Sequence, residues 1–202
     1  MKIICIGRNY ADHAKELNNP LPTEPVFFCK PDSAILPKGH PFFIPEWSRD
    51  IHYEVELVLR ISRLGKHIQP EFAHRYYDGI GLGIDFTARD IQEQLKTRGL
   101  PWEKAKGFDG SAVLGEKFYH PTNLPRPIRF SLEREGAVVQ QGNSSDMVFD
   151  FDQIISYVSQ FMTLKIGDLI YTGTPSGVGP IFPDDLLIGK IENEEIFQLK
   201  IK

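Results

Sequence analysis

The chain has 202 residues, with 23 Lys plus Arg against 27 Asp plus Glu, a formal net charge of −4. That length suits one domain with a sizeable core, and the slight acidic excess argues against a general nucleic-acid binder. No apolar run approaches the roughly 20 residues of a membrane helix, and Cys5 and Cys29 make neither a CxxC nor a zinc pattern, so reduced thiols in a cytoplasmic protein are expected.

Met1-Lys2-Ile3-Ile4-Cys5-Ile6-Gly7 is too short and too soon interrupted by charge to be a signal peptide. It reads as a first strand. Residues 10–17 predict a two-turn helix, stopped by Asn18-Asn19-Pro20. His13 and Glu16 then form an i, i+3 pair. A carboxylate beside an imidazole orients the ring and raises its basicity, which suits a general base; an ordinary surface helix carries such pairs too. Pro20-Leu21-Pro22-Thr23-Glu24-Pro25 is an extended connection. Residues 26–30 read as a short buried strand, 31–43 as irregular structure and 42–44 as another strand.

His52-Tyr53-Glu54-Val55-Glu56-Leu57-Val58-Leu59 predicts a strand. Residues two apart share a face, so Glu54 and Glu56 project together and Tyr53, Val55 and Leu57 take the other side. Two neighbouring carboxylates repel, and burial raises at least one pKa. Either this is a solvated strand face, or a hard divalent cation with oxygen ligands removes the repulsion. Residues 69–77 read as a surface helix. Residues 79–86 are a strong strand whose alternating glycines permit close backbone approach, with no GxGxxG fingerprint. Asp85 lies near its end. Thr87 is expected to cap the next helix, with Asp90 in capping-box-like spacing. Arg89 and Gln92 are i, i+3 on one side of that helix, near the strand end bearing Asp85.

Residues 103–110 look like a polar loop studded with glycine, a common setting for function. Residues 128–134 and 137–140 alternate across Glu135-Gly136, a two-residue hairpin placed on the surface. Ile154, Ile155, Val158 and Phe161 have the spacing of a core-facing helix over 151–161. Residues 164–172 hold a Gly-Asp turn and a strand. Thr172-Gly173-Thr174-Pro175-Ser176-Gly177-Val178-Gly179-Pro180 lacks the ending of a phosphate-binding P-loop, yet exposes backbone N–H groups to a small anion. Residues 194–202 read as a terminal strand. Many short strands and a few short helices, without regular alternation, make a β-rich α+β fold.

Five stretches fall in the order of one known family: Gly7-Arg8-Asn9-Tyr10-Ala11-Asp12-His13, the Glu-x-Glu strand, Ile84-Asp85-Phe86-Thr87-Ala88-Arg89-Asp90, Lys106-Gly107-Phe108-Asp109 and the glycine-rich 172–179 loop. The chain resembles the fumarylacetoacetate hydrolase family, in its short, single-domain acylpyruvate hydrolase branch. The resemblance implies a mixed β-roll or β-sandwich over residues 1–202, a homodimer and a divalent metal: Mg²⁺ or Mn²⁺, with Ca²⁺ as a substitute in crystals. It implies Glu54, Glu56 and Asp85 as metal ligands. His13 and Glu16 correspond to a catalytic pair on a mobile lid spanning 11–22, and Lys106 to an active-site lysine. Arg89, Gln92 and Thr174 fall where the family holds the substrate's oxygens.

The implied reaction is hydrolytic carbon–carbon cleavage of acylpyruvates such as fumarylpyruvate or acetylpyruvate, through a pyruvate enolate. Oxaloacetate decarboxylation or tautomerisation, and isomerisation of the 2-hydroxyhepta-2,4-diene-1,7-dioate type, use the same groups. The contrasting reading is a non-catalytic, metal-stabilised dimer, which would need neither the His13–Glu16 pair nor Lys106. The expected partner is a small 2-keto acid, with no nucleic acid and no membrane.

Overall fold

The computed structural model describes residues 1–16 and 20–202. In chain order the elements are β1 (Ile3–Gly7), α1 (Ala11–Glu16), β2 (Val26–Lys30), β3 (Ile51–Tyr53), β4 (Val55–Ile61), α2 (Pro70–Ala73), β5 (Tyr77–Asp85), β6 (Thr87–Ala88), α3 (Arg89–Thr97), α4 (Glu103–Lys106), β7 (Ala112–Leu114), β8 (Arg129–Arg134), β9 (Ala137–Asn143), α5 (Phe151–Phe161), β10 (Leu169–Tyr171), β11 (Gly179–Pro180), β12 (Leu186–Ile191) and β13 (Glu194–Lys200). This is the β-rich α+β architecture expected. The lid hinge read at Asn18-Asn19 lies outside the described residues.

The strands form three sheets: a six-stranded one in the order β2-β1-β10-β4-β5-β7, a three-stranded one, β11-β3-β6, and a four-stranded one, β13-β12-β8-β9. β1 pairs with β10 in parallel and with β2 antiparallel. β4 is central, flanked by β10 and β5, and every residue but Arg60 is buried. Its period of two splits its side chains between two apolar clusters. Val55, Leu57, Leu59 and Ile61 join the main core with Phe130 and Leu132 of β8. Val58 joins a smaller cluster with Ile3, Cys5 and Tyr171, and Glu56 projects toward that side.

Gly83 sits opposite Glu56 in the β4–β5 register. A Cβ there would lie 2.4 Å from the Val113 carbonyl and 2.7 Å from the Tyr171 ring, so only glycine lets Tyr171 pack across the strand. The Glu135-Gly136 turn has φ of 51° and 79°, the two left-handed residues that a tight hairpin turn requires. α5 opens on a capping box between Asp150 and Gln153 and buries Ile154, Ile155 and Val158. No helix among the described residues is long and apolar enough to cross a membrane.

Several expected elements differ. The first helix begins at Ala11, and the helix expected over 69–77 shrinks to Pro70–Ala73, with Tyr77 already opening β5. Its length is limited because Tyr77 enters the sheet opposite Ile61. Residues 42–44 form no strand; Phe42 makes a single bridge to Ile201. The 103–110 loop opens with a helical turn, α4, ending on Lys106. Thr87 caps nothing: it pairs with His52 in β6, and Ala88 precedes the helix with no side-chain cap.

Candidate active site and metal centre

Glu54 occupies the break between β3 and β4, where the chain leaves the small sheet for the large one. Its carbonyl accepts a hydrogen bond from the Asp85 N–H at 2.9 Å. That one backbone bond fixes the end of β5 against the Glu-x-Glu segment. One carboxylate oxygen from each of Glu54, Glu56 and Asp85 lies within 4.8 Å of the others, and all three residues are buried. Three buried carboxylates so close are mutually repulsive unless cations compensate them.

The chain supplies three such cations. Lys106 Nζ, at the end of α4, lies 2.8 Å from Glu54 Oε2 and 2.8 Å from Asp85 Oδ2, and also meets the Thr87 hydroxyl. Arg89 reaches Glu54 Oε1 at 2.5 Å and Gln92 Oε1 at 2.6 Å. Lys30, which the sequence reading passed over, is fully buried at the end of β2, with its Nζ 2.7 Å from Asp85 Oδ1. The same ammonium donates to the Phe86 carbonyl at 3.3 Å, to Ser111 O and Oγ at 3.1 and 3.0 Å, and to the Lys106 carbonyl. It therefore ties β2 to both the Asp85 strand end and the turn carrying Lys106.

These charges divide the two glutamates. Burial pushes the Glu54 carboxyl up, but Lys106 and Arg89 outweigh it and hold the group well below the usual carboxylate range. Glu56 is pushed well above that range by burial and then by Asp85 and Glu54, with the Gly173 N–H opposing at 2.7 Å. Lys106 is raised: burial opposes its charge, and Asp85 and Glu54 more than restore it.

A hard divalent ion fits this donor set. The ligating atoms are all carboxylate oxygens, the class Mg²⁺, Mn²⁺ and Ca²⁺ take. Asp85 Oδ1 lies 2.7 Å from the Lys30 ammonium yet accepts no hydrogen bond among the described residues. It retains a free lone pair in a buried site. Glu56, which repels its neighbours when ionised, is the carboxylate that a cation would relieve most.

Of the remaining expected residues, His13, Arg89, Gln92, Lys106 and Thr174 line the same cleft with the triad, a space of about 50 Å³, while Glu16 contacts it through His13. His13 Nδ1 lies 3.1 Å from Glu16 Oε2. The acceptor is a carboxylate, so Nδ1 carries the proton and Nε2 is left to take one. Glu16 Oε1 accepts from the Gly177 N–H at 3.0 Å, which pins α1 against the glycine-rich loop. Arg89 Nε is buried with no acceptor among the described residues. Thr174 donates its hydroxyl to the Val55 carbonyl at 2.9 Å and accepts from Gln140 Nε2 at 2.8 Å. Its proton is thus engaged, and it faces the cleft as an acceptor.

Three supporting residues besides Lys30 are not expected at the site from the sequence: Thr87 reads as a helix cap, Gln140 as part of a surface hairpin, and Asn9 has no role there. The Thr87 hydroxyl donates to Glu54 Oε1 at 2.9 Å. Gln140, expected on a surface hairpin, is buried and bridges the Val55 N–H, Thr174 and the Pro175 carbonyl. Buried Asn9 clamps Phe149 through its N–H and carbonyl and also reaches the Thr172 carbonyl at 2.8 Å. The signal for Asn9 and Gln140 was a polar side chain within or beside an apolar strand pattern.

Known proteins are similar to this chain over nearly all of its length. Residues 2–198 match the family model described as the C-terminal region of fumarylacetoacetate hydrolase. The mitochondrial oxaloacetate tautomerase FAHD1 of Mus musculus is 43% identical over 202 residues, covering 99% of this chain and 91% of its own. The mitochondrial oxaloacetate decarboxylase of Dictyostelium discoideum is 43% identical over 192 residues, covering 92% and 86%. Among solved structures, the fumarylpyruvate hydrolase of Pseudomonas aeruginosa in complex with Mn²⁺ and pyruvate superposes with a TM-score of 0.92 at 34% identity, covering 100% and 89%. With a matching family model along nearly its whole length and relatives this similar, the chain belongs to the fumarylacetoacetate hydrolase family.

Proposed function

We propose that this protein catalyses keto–enol chemistry on small 2-oxo diacids of the oxaloacetate type, as a tautomerase or decarboxylase. The observation that carries the reading is the small cleft of about 50 Å³ in which Lys106, paired with two carboxylates, stands beside the Glu54, Glu56 and Asp85 cluster. The names of the relatives from Mus musculus and Dictyostelium discoideum support it. This reverses the order of the sequence reading, in which acylpyruvate hydrolysis stood first.

In this reading Glu54, Glu56 and Asp85 hold a divalent ion, Mg²⁺ or Mn²⁺. Such an ion, when bound, polarises the oxygens of a 2-oxo acid as a Lewis acid. Arg89 offers its unpartnered Nε–H to a substrate carboxylate oxygen, with Gln92 holding the guanidinium in place. Lys106 stabilises the negative charge that develops on the enolate oxygen, a contribution of about 3–4 kcal/mol for a well-placed donor. His13, held by Glu16, moves the proton. In tautomerisation it takes a proton from C3 of the keto form, and a proton is returned to the enolate oxygen. In decarboxylation the bond to the distal carboxylate breaks, CO₂ leaves, and a proton that His13 Nε2 takes up from water is passed to C3.

Acylpyruvate hydrolysis is the second reading, favoured by the 3.1 Å His13–Glu16 contact, which also suits removal of a proton from water. The deciding experiment follows three reactions of the Mn²⁺-loaded protein: loss of the oxaloacetate enol absorbance, and pyruvate release from oxaloacetate and from acetylpyruvate. A kcat/KM for acetylpyruvate above both oxaloacetate values would return hydrolysis to first place. His13→Ala should slow the proposed reaction by about 10²–10⁴-fold. A bound ion with no turnover of any of the three would leave the non-catalytic dimer. The same reading takes the protein as a cytoplasmic homodimer, which sedimentation and cell fractionation would test.

A further inference from the structure

We infer that Arg8 receives the distal carboxylate of the substrate and is the residue by which the cleft selects 2-oxo diacids over 2-oxo monoacids. The inference rests on the reaction class proposed above and adds to it the residue that sets substrate choice. Arg8 lines the cleft together with the triad, His13 and Arg89. It follows β1 directly, so the sheet end delivers it there.

Its surroundings set it apart from the other cleft cations. Arg89 and Lys106 are paired with Glu54, and Lys96, the other lysine of the lining, already has a partner. Arg8 makes no hydrogen bond or ion pair among the described residues. A half-buried guanidinium carries five donors and no acceptor. With none of them used among the described residues, it is suited to bidentate capture of a carboxylate. The neighbouring cleft walls from Ile6, Val26, Phe28 and Trp102 are apolar and offer a carboxylate no side-chain donor but the Trp102 indole.

The backbone points the same way. Arg8 has φ of 60°, an unfavourable conformation for a long side chain. The other non-glycine residues with positive φ are His67, Glu135, Asp184 and Glu192, and none of them lines this cleft. Strain of this kind persists only where the surroundings enforce it. Here they do: the next residue, Asn9, is fully buried and held by Val148, Phe149 and Thr172 through four hydrogen bonds of 2.8–2.9 Å, three at its side chain and one that its backbone carbonyl accepts from the Val148 N–H.

Charge balance is consistent with two carboxylates. Glu54, Glu56 and Asp85 contribute −3, and Lys30, Lys106 and Arg89 contribute +3. A divalent ion brings the inner site to +2. The carboxylate next to the 2-oxo group lowers that to +1 for monoacid and diacid alike, and the outer carboxylate of a diacid is left for the charge of Arg8.

The test uses inert ligands that differ by the distal carboxylate, malate and lactate, titrated calorimetrically into Mn²⁺-loaded protein. Arg8→Gly accommodates the left-handed backbone without strain and removes the donors. It should lower the preference for malate over lactate by about 10- to 150-fold, the loss of one charged hydrogen-bonding partner. Arg8→Lys should keep part of that preference. In tautomerisation, where the distal carboxylate keeps its charge throughout, Arg8→Gly should raise the KM for oxaloacetate with little change in kcat, the signature of lost uniform binding. A malate-to-lactate ratio unchanged within twofold in Arg8→Gly overturns the assignment. A protein that prefers malate through Arg8 yet turns over no 2-oxo acid supports the assignment and sinks the proposed reaction, so the two failures are separable.

Discussion

Lys30→Met removes a buried charge while nearly conserving volume, and the structure sets the size of its effect. The Lys30 side chain has no solvent exposure, and its ammonium lies 2.7 Å from Asp85 Oδ1 and within hydrogen-bonding distance of three carbonyls and the Ser111 hydroxyl. Methionine supplies none of these contacts, so Asp85 keeps a buried negative charge with one cation fewer. Breaking a buried pair by removing one partner costs about 3–5 kcal/mol. For a chain of this length that is a Tm lower by about 6–20 °C. Urea unfolding of the metal-free protein, fitted for midpoint and slope, measures it directly. A double-mutant cycle with Asp85→Asn isolates the pair, and the coupling should exceed about 1 kcal/mol. A loss below about 1 kcal/mol in Lys30→Met, with a coupling near zero, would mean that Lys30 does not anchor this strand end.

Glu56→Gln keeps the shape of a carboxyl that burial and its neighbours already disfavour as a charge; it should leave the urea midpoint unchanged while Mn²⁺ titration detects no binding, and wild-type Mn²⁺ affinity would remove Glu56 from the ligand set. Asp168 is held below its ordinary pKa, burial opposing and the Lys2 side chain with the Lys2 and Lys165 N–H groups prevailing. Its contribution is present above the unfolded carboxylate value and lost as pH falls through the folded one. Asp168→Asn should therefore cost about 2–3 kcal/mol at pH 7, and the gap should close below about pH 4; a pH-independent gap counts against the ion pair. Gly177→Ala places a Cβ 2.5 Å from the Val139 carbonyl at a φ of 96°, shifting the N–H that holds Glu16. Faster amide exchange across residues 11–16 is expected, and unchanged protection would mean that the contact does not restrain α1.

What the sequence made legible was local. The Glu-x-Glu spacing, the alternating glycines of β5, the Glu135-Gly136 turn and the apolar spacing of α5 each follow from periodicity or turn chemistry within a few residues. What it concealed depends on contacts far apart in the chain. Lys30 ends a short apolar strand, and nothing within ten residues says that its ammonium meets Asp85. Thr87 has the chemistry of a helix cap, but Glu54 and Lys106 recruit its hydroxyl instead. In β9 the expected polarity is inverted: Val138 is 59% exposed and Gln140 is buried, because Gln140 is needed to hold Val55 and Thr174. The helix expected over 69–77 gave way to sheet pairing at Tyr77, where tertiary contacts override helix propensity.

The placement of β1 between β2 and β10 has a consequence for biosynthesis. Ile3 pairs with Lys30 on one side and with Leu169 on the other. The first partner emerges from the ribosome soon after β1, but the second follows 166 residues behind. At about 5–20 residues per second, that is roughly 8–33 s during which an apolar Ile-Ile-Cys-Ile edge has no neighbour. β4 waits for the same β10 strand on its own flank. Nascent chains truncated before Leu169 therefore present two unpaired strand edges beside one gap, the kind of template on which other chains assemble. Chaperone capture of such chains should end when β10 fills that gap.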